Sequence, residues 1–291
     1  MPSRHRFRCL AAALLLPAAA MVTALGAAPA AAAQSQPNAP DRPLRAMSFN
    51  IHHGEGTDDN LDLARTARTI RAEDPDVVGL QEVDRHWSER SDFVDQAAWL
   101  AKTLHMHVVF GANLNLDPPA PDRPRRQYGT AILSEWPILD WSNTFLPRYD
   151  GHEQRGLLYA RIVVQGVPVR VYNTHLQQNT PPEQLAQARA IKQLIGTPDE
   201  SVVLMGDLNG KPTKAHVRAL AEDLVDAWLS AGVGDGYTFH TGDPTKRIDY
   251  VMTSDDVVVR TAAVVTSSDA SDHLPVVTDV ALPGQNVGVG R

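Results

Sequence analysis

A chain of 291 residues carries 27 Lys+Arg against 34 Asp+Glu, a formal charge of -7. The length permits one large domain or two small ones. The charge argues against broad electrostatic capture of nucleic acid, although a local basic patch can survive it. Arg4, Arg6 and Arg8 precede an apolar run over 10–16 and an alanine-rich stretch, and Ala31 to Ala33 fit a small-residue cleavage site. This order predicts a secretory signal peptide over 1–33. Pro17, the small residues and the lack of further apolar length speak against a membrane anchor. Cleavage after Ala33 leaves 258 residues, 24 basic against 34 acidic, and removes Cys9, the sole cysteine. The expected product is therefore secreted and extracellular, with no stable membrane anchor, and does not draw stability from disulfides. Residues 34–43 read as a flexible leader, 44–281 as the folded domain and 282–291 as a tail.

Along that domain, 44–50 alternates as a strand and ends at Asn50, followed by Ile51, His52, His53 and Gly54. Asp59 or Asn60 can cap a helix with Leu63, Ala67 and Ile70 on one face, stopped by Asp74-Pro75. Residues 76–80 form a short buried strand that delivers Gln81, Glu82 and Asp84. Ser91 can cap a second helix carrying Phe93, Ala97, Leu100 and Leu104. A strand over 107–110 leads into a proline-dense surface loop, 113–126, and then to Tyr128-Gly129 and a strand over 130–133. Glu153 and Arg155 lie in a polar approach to a strand over 159–164. Gly166-Val167-Pro168 turns it back along 169–173, toward Thr174 and His175. Thr180, Pro181 and Glu183 have the spacing of a capping box ahead of a helix that Gly196 ends.

The stretch 201–210 is an apolar run that stops at Gly206 and offers Asp207 and Asn209. These two are two residues apart, so in extended backbone their side chains leave the same side. An Asx turn at a strand end reads the same way. Residues 213–231 look helical in two pieces. Strands are expected around 247–252, 257–265 and 276–280, with Ser271-Asp272-His273 before the last.

Five segments thus end a short apolar strand in polar groups: Asn50, Glu82, His175, Asp207 with Asn209, and Asp272 with His273. Asp249 sits in a sixth, beside Arg247. Folding alone does not require this, and its repetition points to loops converging on one sheet edge. Hard oxygen donors suit Mg²⁺ or Mn²⁺, and the histidines lack a compact zinc spacing.

The ordered stretches Ser48-Phe49-Asn50-Ile51, Leu80-Gln81-Glu82-Val83-Asp84, Tyr128-Gly129-Thr130, Asn173-Thr174-His175-Leu176, Gly206-Asp207-Leu208-Asn209, Arg247-Ile248-Asp249-Tyr250 and Ser271-Asp272-His273-Leu274-Pro275 resemble the endonuclease/exonuclease/phosphatase superfamily, as a secreted bacterial member. The resemblance implies an α/β fold: a four-layer α/β sandwich with two central mixed β-sheets flanked by helices. It also implies metal-dependent phosphoester hydrolysis. Glu82 then matches the principal metal carboxylate, with Asn50 and Asp272 beside it. Asp207 matches the residue that positions or deprotonates the attacking water and in some members approaches a second metal. Asn209 and His175 match phosphate-oxygen partners. Asp249 and His273 match an orienting carboxylate and its imidazole, which is either the base or a phosphate binder. Arg155 is read as a bidentate phosphate ligand or a structural partner of Glu153. Arg126 is a weaker substrate candidate of the same kind. Tyr128 either packs under the site or touches substrate, and His53 either contacts substrate or is an ordinary loop histidine.

The expected function is a secreted phosphodiesterase on a small phosphodiester or phospholipid headgroup. The alternatives are a DNase-I-like nuclease, a phosphomonoesterase and a non-catalytic binding protein. No dense basic track with interleaved aromatics supports nucleic acid as substrate. Trp136, Trp141, Phe145 and Leu146 read either as a lipid-facing lid or as edge packing. Oligomeric state is not legible.

Overall fold

The structure is a computed structural model and describes residues 42–284; the expected signal peptide, most of the leader and all but the start of the tail lie outside the described residues. In chain order it comprises β1 (Arg42–Asn50), α1 (Leu63–Glu73), β2 (Val77–Arg85), α2 (Gln96–Leu104), β3 (His107–Leu116), β4 (Arg126–Ser134), β5 (Asp140–Phe145) and β6 (Gly156–Val164). These are followed by β7 (Val167–His175), α3 (Pro181–Ile195), β8 (Ser201–Asp207), α4 (Ala215–Leu220), β9 (Val225–Asp226), α5 (Ala227–Ala231), β10 (Asp249–Thr253), β11 (Val258–Val264) and β12 (Val276–Leu282).

The strands form two six-stranded mixed sheets, ordered β11-β12-β1-β2-β4-β3 and β5-β6-β7-β8-β10-β9. Each has one parallel pair near its middle, β1 with β2 and β7 with β8. Parallel neighbours need a crossover, and α1 and α3 supply it. Between the sheets, Leu44, Ala46, Val77 and Ile132 meet Leu158, Ala160, Val171, Val203 and Met205. The alternate residues face the helices: Phe49, Val78 and Leu80 lie with Ala67, Ile70 and Leu100, and Val202, Leu204 and Met252 lie with Ala188, Ile191 and Leu220. The result is the expected four-layer α/β sandwich. Both faces of the central strands are covered, which is why 202–205 is continuously apolar. At Gly79 the sheets approach so closely that a Cβ would lie 2.9 Å from that of Met205. Among the described residues no helix is long and apolar enough to cross a membrane.

Several local expectations are corrected. β1 begins at Arg42, paired with Leu282 of β12, so folded structure takes in the last two leader residues and the first tail residue. The α1 cap is Asp62, whose carboxylate accepts from Arg65 N at 2.9 Å, not Asp59 or Asn60. For α2 it is Asp95; Ser91 closes a short 3-10 turn, and Phe93 stays outside the helix. Thr180 precedes α3 without making a cap bond, its Oγ donating instead to Gln178 O at 3.3 Å, and the buried Glu183 carboxylate accepts from Tyr149 N and from His152 Nδ1. The loop between β3 and β4 shrinks to 117–125 as both strands run on. β5 was not foreseen. It is an edge strand with Trp141 and Phe145 exposed, so it lacks a buried periodicity, while Leu146 just beyond it is buried.

Candidate active site

The topology collects the polar strand ends on one edge. Asn50 ends β1 opposite Gln81, and His175 ends β7 opposite Asp207 at the end of β8. β10 runs antiparallel to β8, so its first residue, Asp249, faces Asp207. β12 runs antiparallel to β1, so the turn before it stands in front of Asn50, where Ser271 Oγ donates to Asn50 O at 2.7 Å.

Glu82 reaches the edge through a bulge. The β2–β4 register jumps from Leu80↔Ala131 to Val83↔Gly129, and Glu82 has φ 56. A bulge turns a side chain at the cost of ladder hydrogen bonds. Asn173, fully buried on the other sheet, compensates: its Nδ2 donates to Leu80 O and Ala131 O, both at 2.8 Å, while its Oδ1 accepts from Gln81 Nε2 at 2.7 Å. Sequence alone assigned Asn173 no role, since its partners belong to the opposite sheet.

Asn50 Nδ2 bridges two carboxylates, donating to Glu82 Oε1 at 3.0 Å and Asp207 Oδ2 at 3.1 Å, and its Oδ1 accepts from His52 N. Asp207 lies between two imidazoles, 3.4 Å from His175 Nε2 and 3.7 Å from His273 Nε2. Burial, then the neighbouring Asp249 carboxylate, push Asp207 up to about 7 despite His273 and the hydrogen bonds from Asn209 and Asn50. Burial pulls His273 down, but Asp249, 2.9 Å from its Nδ1, and Asp207 outweigh it and raise it to about 10. His175 goes the other way: burial, then Arg155 and His273, hold it well below its ordinary value. Arg155 NH1 meets His175 Nδ1 at 3.0 Å and Asn209 Nδ2 meets its Nε2 at 3.0 Å, so donors face both ring nitrogens. Arg155 also lies 2.8 Å from Glu153 Oε1, in ion-pair range but out of hydrogen-bond alignment. Burial raises Glu153 above the usual carboxylate range.

These groups open on a cleft of about 620 Å³. Of the residues singled out from sequence, Glu82, Tyr128, Arg155, His175, Asp207, Asn209, Asp272 and His273 line it. Asn50 and Asp249 lie fully buried just behind, held to the lining by the bonds above. Tyr128 is buried beneath the Arg90 guanidinium, and Arg90 forks onto the buried Asp84. Arg126 stands outside the lining, with its Nε on Asp117 O at 3.0 Å. His53 is also outside it, buried and 3.4 Å from Glu55. Burial is the chief cause lowering its pKa. His53 nevertheless joins His52 and Glu82 in one group with ligand atoms within 4.8 Å of one another; Asp207, Asp249 and His273 form a second. Asp272 Oδ1 lies 3.9 Å from His52 Nδ1. The first group with Asp272 is a mixed oxygen and nitrogen set of the kind that ligates a divalent cation. Sequence reading missed Lys211, Lys214 and Lys246 in the lining, together with Gln178, Asn179 and Phe239. Two lysines within five residues of Asp207-Leu208-Asn209-Gly210 were a usable signal, overshadowed by the helix that follows.

A model of the Endonuclease/Exonuclease/phosphatase family matches residues 47–273. An endonuclease/exonuclease/phosphatase from Beutenbergia cavernae is similar in structure, with TM-score 0.73 and 30% identity over 83% of this chain and 72% of that one. YbhP of Escherichia coli (strain K12), an uncharacterized protein, is 27% identical over 256 residues, 82% of this chain and 96% of its own. A Bacteroides thetaiotaomicron mannosyl-6-phosphatase shares the fold at TM-score 0.67 and 18% identity, over 81% of this chain and 99% of its own. With its two mixed sheets, its clustered polar strand ends and a family match spanning nearly the whole described domain, the chain belongs to the Endonuclease/Exonuclease/phosphatase family, a hydrolase with two candidate metal-ligating groups.

Proposed function

We propose that the protein is a secreted, divalent-metal-dependent phosphodiesterase acting on a small phosphodiester or a phospholipid headgroup. The observation that carries this reading is Asp207 on the cleft wall between two unlike imidazoles, neutral His175 and charged His273. Glu82 and Asp272, with His52 in reach and Asn50 bracing Glu82, would hold Mg²⁺ or Mn²⁺. The chemistry such a cation supplies when bound is neutralisation of charge on a phosphoryl oxygen.

His175 stands neutral beside the phosphoryl oxygens, its ring oriented by Arg155 at Nδ1 and Asn209 at Nε2. Asn209 stands at the same oxygens, its amide anchored on Leu176 O at 3.0 Å. His273 is held charged by Asp249, so it binds and stabilises a phosphoryl oxygen rather than accepting a proton. Asp207, pushed up to about 7, takes the proton of the attacking water, being a stronger base than an exposed carboxylate. As the new P–O bond forms the ester P–O bond breaks, and the proton passes to the departing alkoxide through solvent in the open cleft. Sequence left the base open between these groups, and the direction of the shifts favours Asp207.

A panel of DNA, RNA, phosphoinositides, sphingomyelin, glycerophosphodiesters and simple monoesters tests the reading, with EDTA-treated protein resupplied with either ion. Turnover is expected on small or headgroup diesters, absent after EDTA and restored by Mg²⁺ or Mn²⁺. Monoester-only turnover, or full activity in metal-free protein, would overturn it. Dominant cleavage of DNA or RNA would establish the nuclease alternative.

A further inference from the structure

We propose that the cleft selects substrates carrying a second phosphate group beside the scissile one, an inference that rests on the phosphodiesterase reading and narrows its substrate class. The chain has five lysines, and three of them, Lys211, Lys214 and Lys246, line the cleft. They come from two segments on the β8–β10 side. Lys211 and Lys214 follow Asn209 in a turn closed by Lys214 N donating to Lys211 O at 2.9 Å. Lys246 lies three residues before Asp249, its Nζ 5.1 Å from the centre of the Phe239 ring, and that ring packs 4.7 Å from His273.

All three lysines are exposed, and among the described residues Lys211 and Lys214 have no carboxylate partner. Several cations elsewhere in this acidic protein are matched, Lys192 with Glu222 and Asp223, Arg161 with Glu200 and Arg247 with Asp226. On the phosphodiesterase reading the scissile phosphate meets His175 and His273, with Arg155 behind His175. Three more ammonium groups exceed what a singly charged diester uses, and their place on the rim suits an anion attached to the substrate a few bonds away. An ammonium is a point charge on a flexible stem, suited to a phosphate of variable position.

A compact second phosphate fits better than a nucleic-acid strand. The other charged lining residues include Arg155, which lies against Glu153, and the carboxylates Glu82, Asp207 and Asp272, so the cleft offers no continuous basic track. Stacking platforms are also lacking within the lining, since Tyr128 is buried and Phe239 is engaged by Lys246 and His273.

The test uses a matched pair, thymidine 5′-(4-nitrophenyl phosphate) and the same ester with a 3′-phosphate, on the metal-loaded full chain. The 3′-phosphorylated ester is expected to show kcat/KM about 10-fold higher or more at low salt. The triple variant Lys211→Gln/Lys214→Gln/Lys246→Gln should bring the ratio to within about 2-fold of unity, whereas the control Lys102→Gln/Arg189→Gln/Arg218→Gln on α2, α3 and α4, which removes the same three charges away from the cleft, should preserve it. A ratio near one in the parent, or one that persists in the triple variant, overturns the second-phosphate site and leaves the phosphodiesterase reading standing. If neither ester is cleaved, that reading fails on these diesters, and calorimetry on metal-free protein decides the site. Thymidine 3′,5′-bisphosphate should bind about 10-fold tighter than thymidine 5′-monophosphate in the parent and equally in the triple variant; equal binding in the parent overturns the site. A DNA dodecamer binding about 10-fold tighter still, with the gain lost in the triple variant, would assign the lysines to a strand track and overturn the compact reading.

Discussion

At Asp207 two carboxylates and two imidazoles compete for protons in a buried space, and this is where single substitutions should speak loudest. His273→Ala is expected to lose about 10²- to 10⁴-fold in kcat, the scale of a positioned acid–base or charge-stabilising group. Asp249→Asn should also damage turnover and lower stability near neutral pH, because an amide cannot balance the buried imidazolium 2.9 Å away. The double variant should lose less than the product of the two single losses, as residues acting as one unit do. Folded single variants with near-parent kcat and kcat/KM would remove both from the chemistry. The same groups set a pH dependence. In metal-free protein Asp207 is raised to about 7 and His273 to about 10, so the folded state keeps protons that the unfolded chain releases. Stability contributed by Asp207 therefore falls as pH rises from its unfolded value through about 7. That contributed by His273 is complete below its unfolded value and is lost through about 10. Urea midpoints of EDTA-treated protein should decline from pH 7 to pH 9 through His273; between pH 5 and pH 7 the oppositely shifted His175 and His53 offset Asp207, and Asp207→Asn should tilt that lower part upward. A midpoint that rises from pH 7 to pH 9 contradicts the His273 shift.

Among the elements, β2 is the one whose irregularity the site depends on. Its bulge aims Glu82, and Asn173 on β7 satisfies the carbonyls that the bulge leaves open. Asn173→Ala should cost about 1–3 kcal/mol for each carbonyl left without its donor and should weaken Mn²⁺ binding by loosening Glu82. Urea titration and a metal-binding isotherm check the two effects separately. Unchanged stability and unchanged affinity would show that water replaces the amide. Helix caps give a second comparison: Asp62→Ala should cost about 1 kcal/mol, since Asp62 caps α1, while Thr180→Ala should stay within about 0.5 kcal/mol, since Thr180 makes no cap bond. Equal losses by chemical denaturation would contradict this assignment.

For the whole molecule, β1 starts at Arg42, eight residues beyond the proposed cleavage after Ala33. Export with cleavage is therefore expected to leave the fold intact and release a chain beginning at Gln34. N-terminal sequencing of protein from the culture medium checks this, and a cell-retained product beginning at Met1 would contradict secretion. The long-range pairings β1–β12 and β8–β10 tie the two ends of the domain into its two sheets, so the cleft is complete only when the whole domain is folded.

The sequence by itself determined what is local or repeated. Apolar runs stopped by Asn50, Glu82, His175, Asp207 and Asp272 marked both the strands and the chemistry, because a strand covered on both faces must be apolar until it leaves the core. Their order along the chain indicated the family and hence the layers. Only the tertiary structure decided what depends on partners distant in sequence. It chose Asp62 and Asp95 over equally plausible caps, because several oxygens competed for the same amides and chain direction settled which was near. Glu183 was drawn from its capping role by Tyr149 and His152, and an edge strand with no buried periodicity was paired into a sheet. Arg126 and His53 were left outside the cleft, while Lys211, Lys214 and Lys246 were brought to its rim. Proton affinities were likewise invisible beforehand. His175 and His273 are the same residue type at similar strand ends, and only the charges packed around each ring, Arg155 at one and Asp249 at the other, drive them in opposite directions.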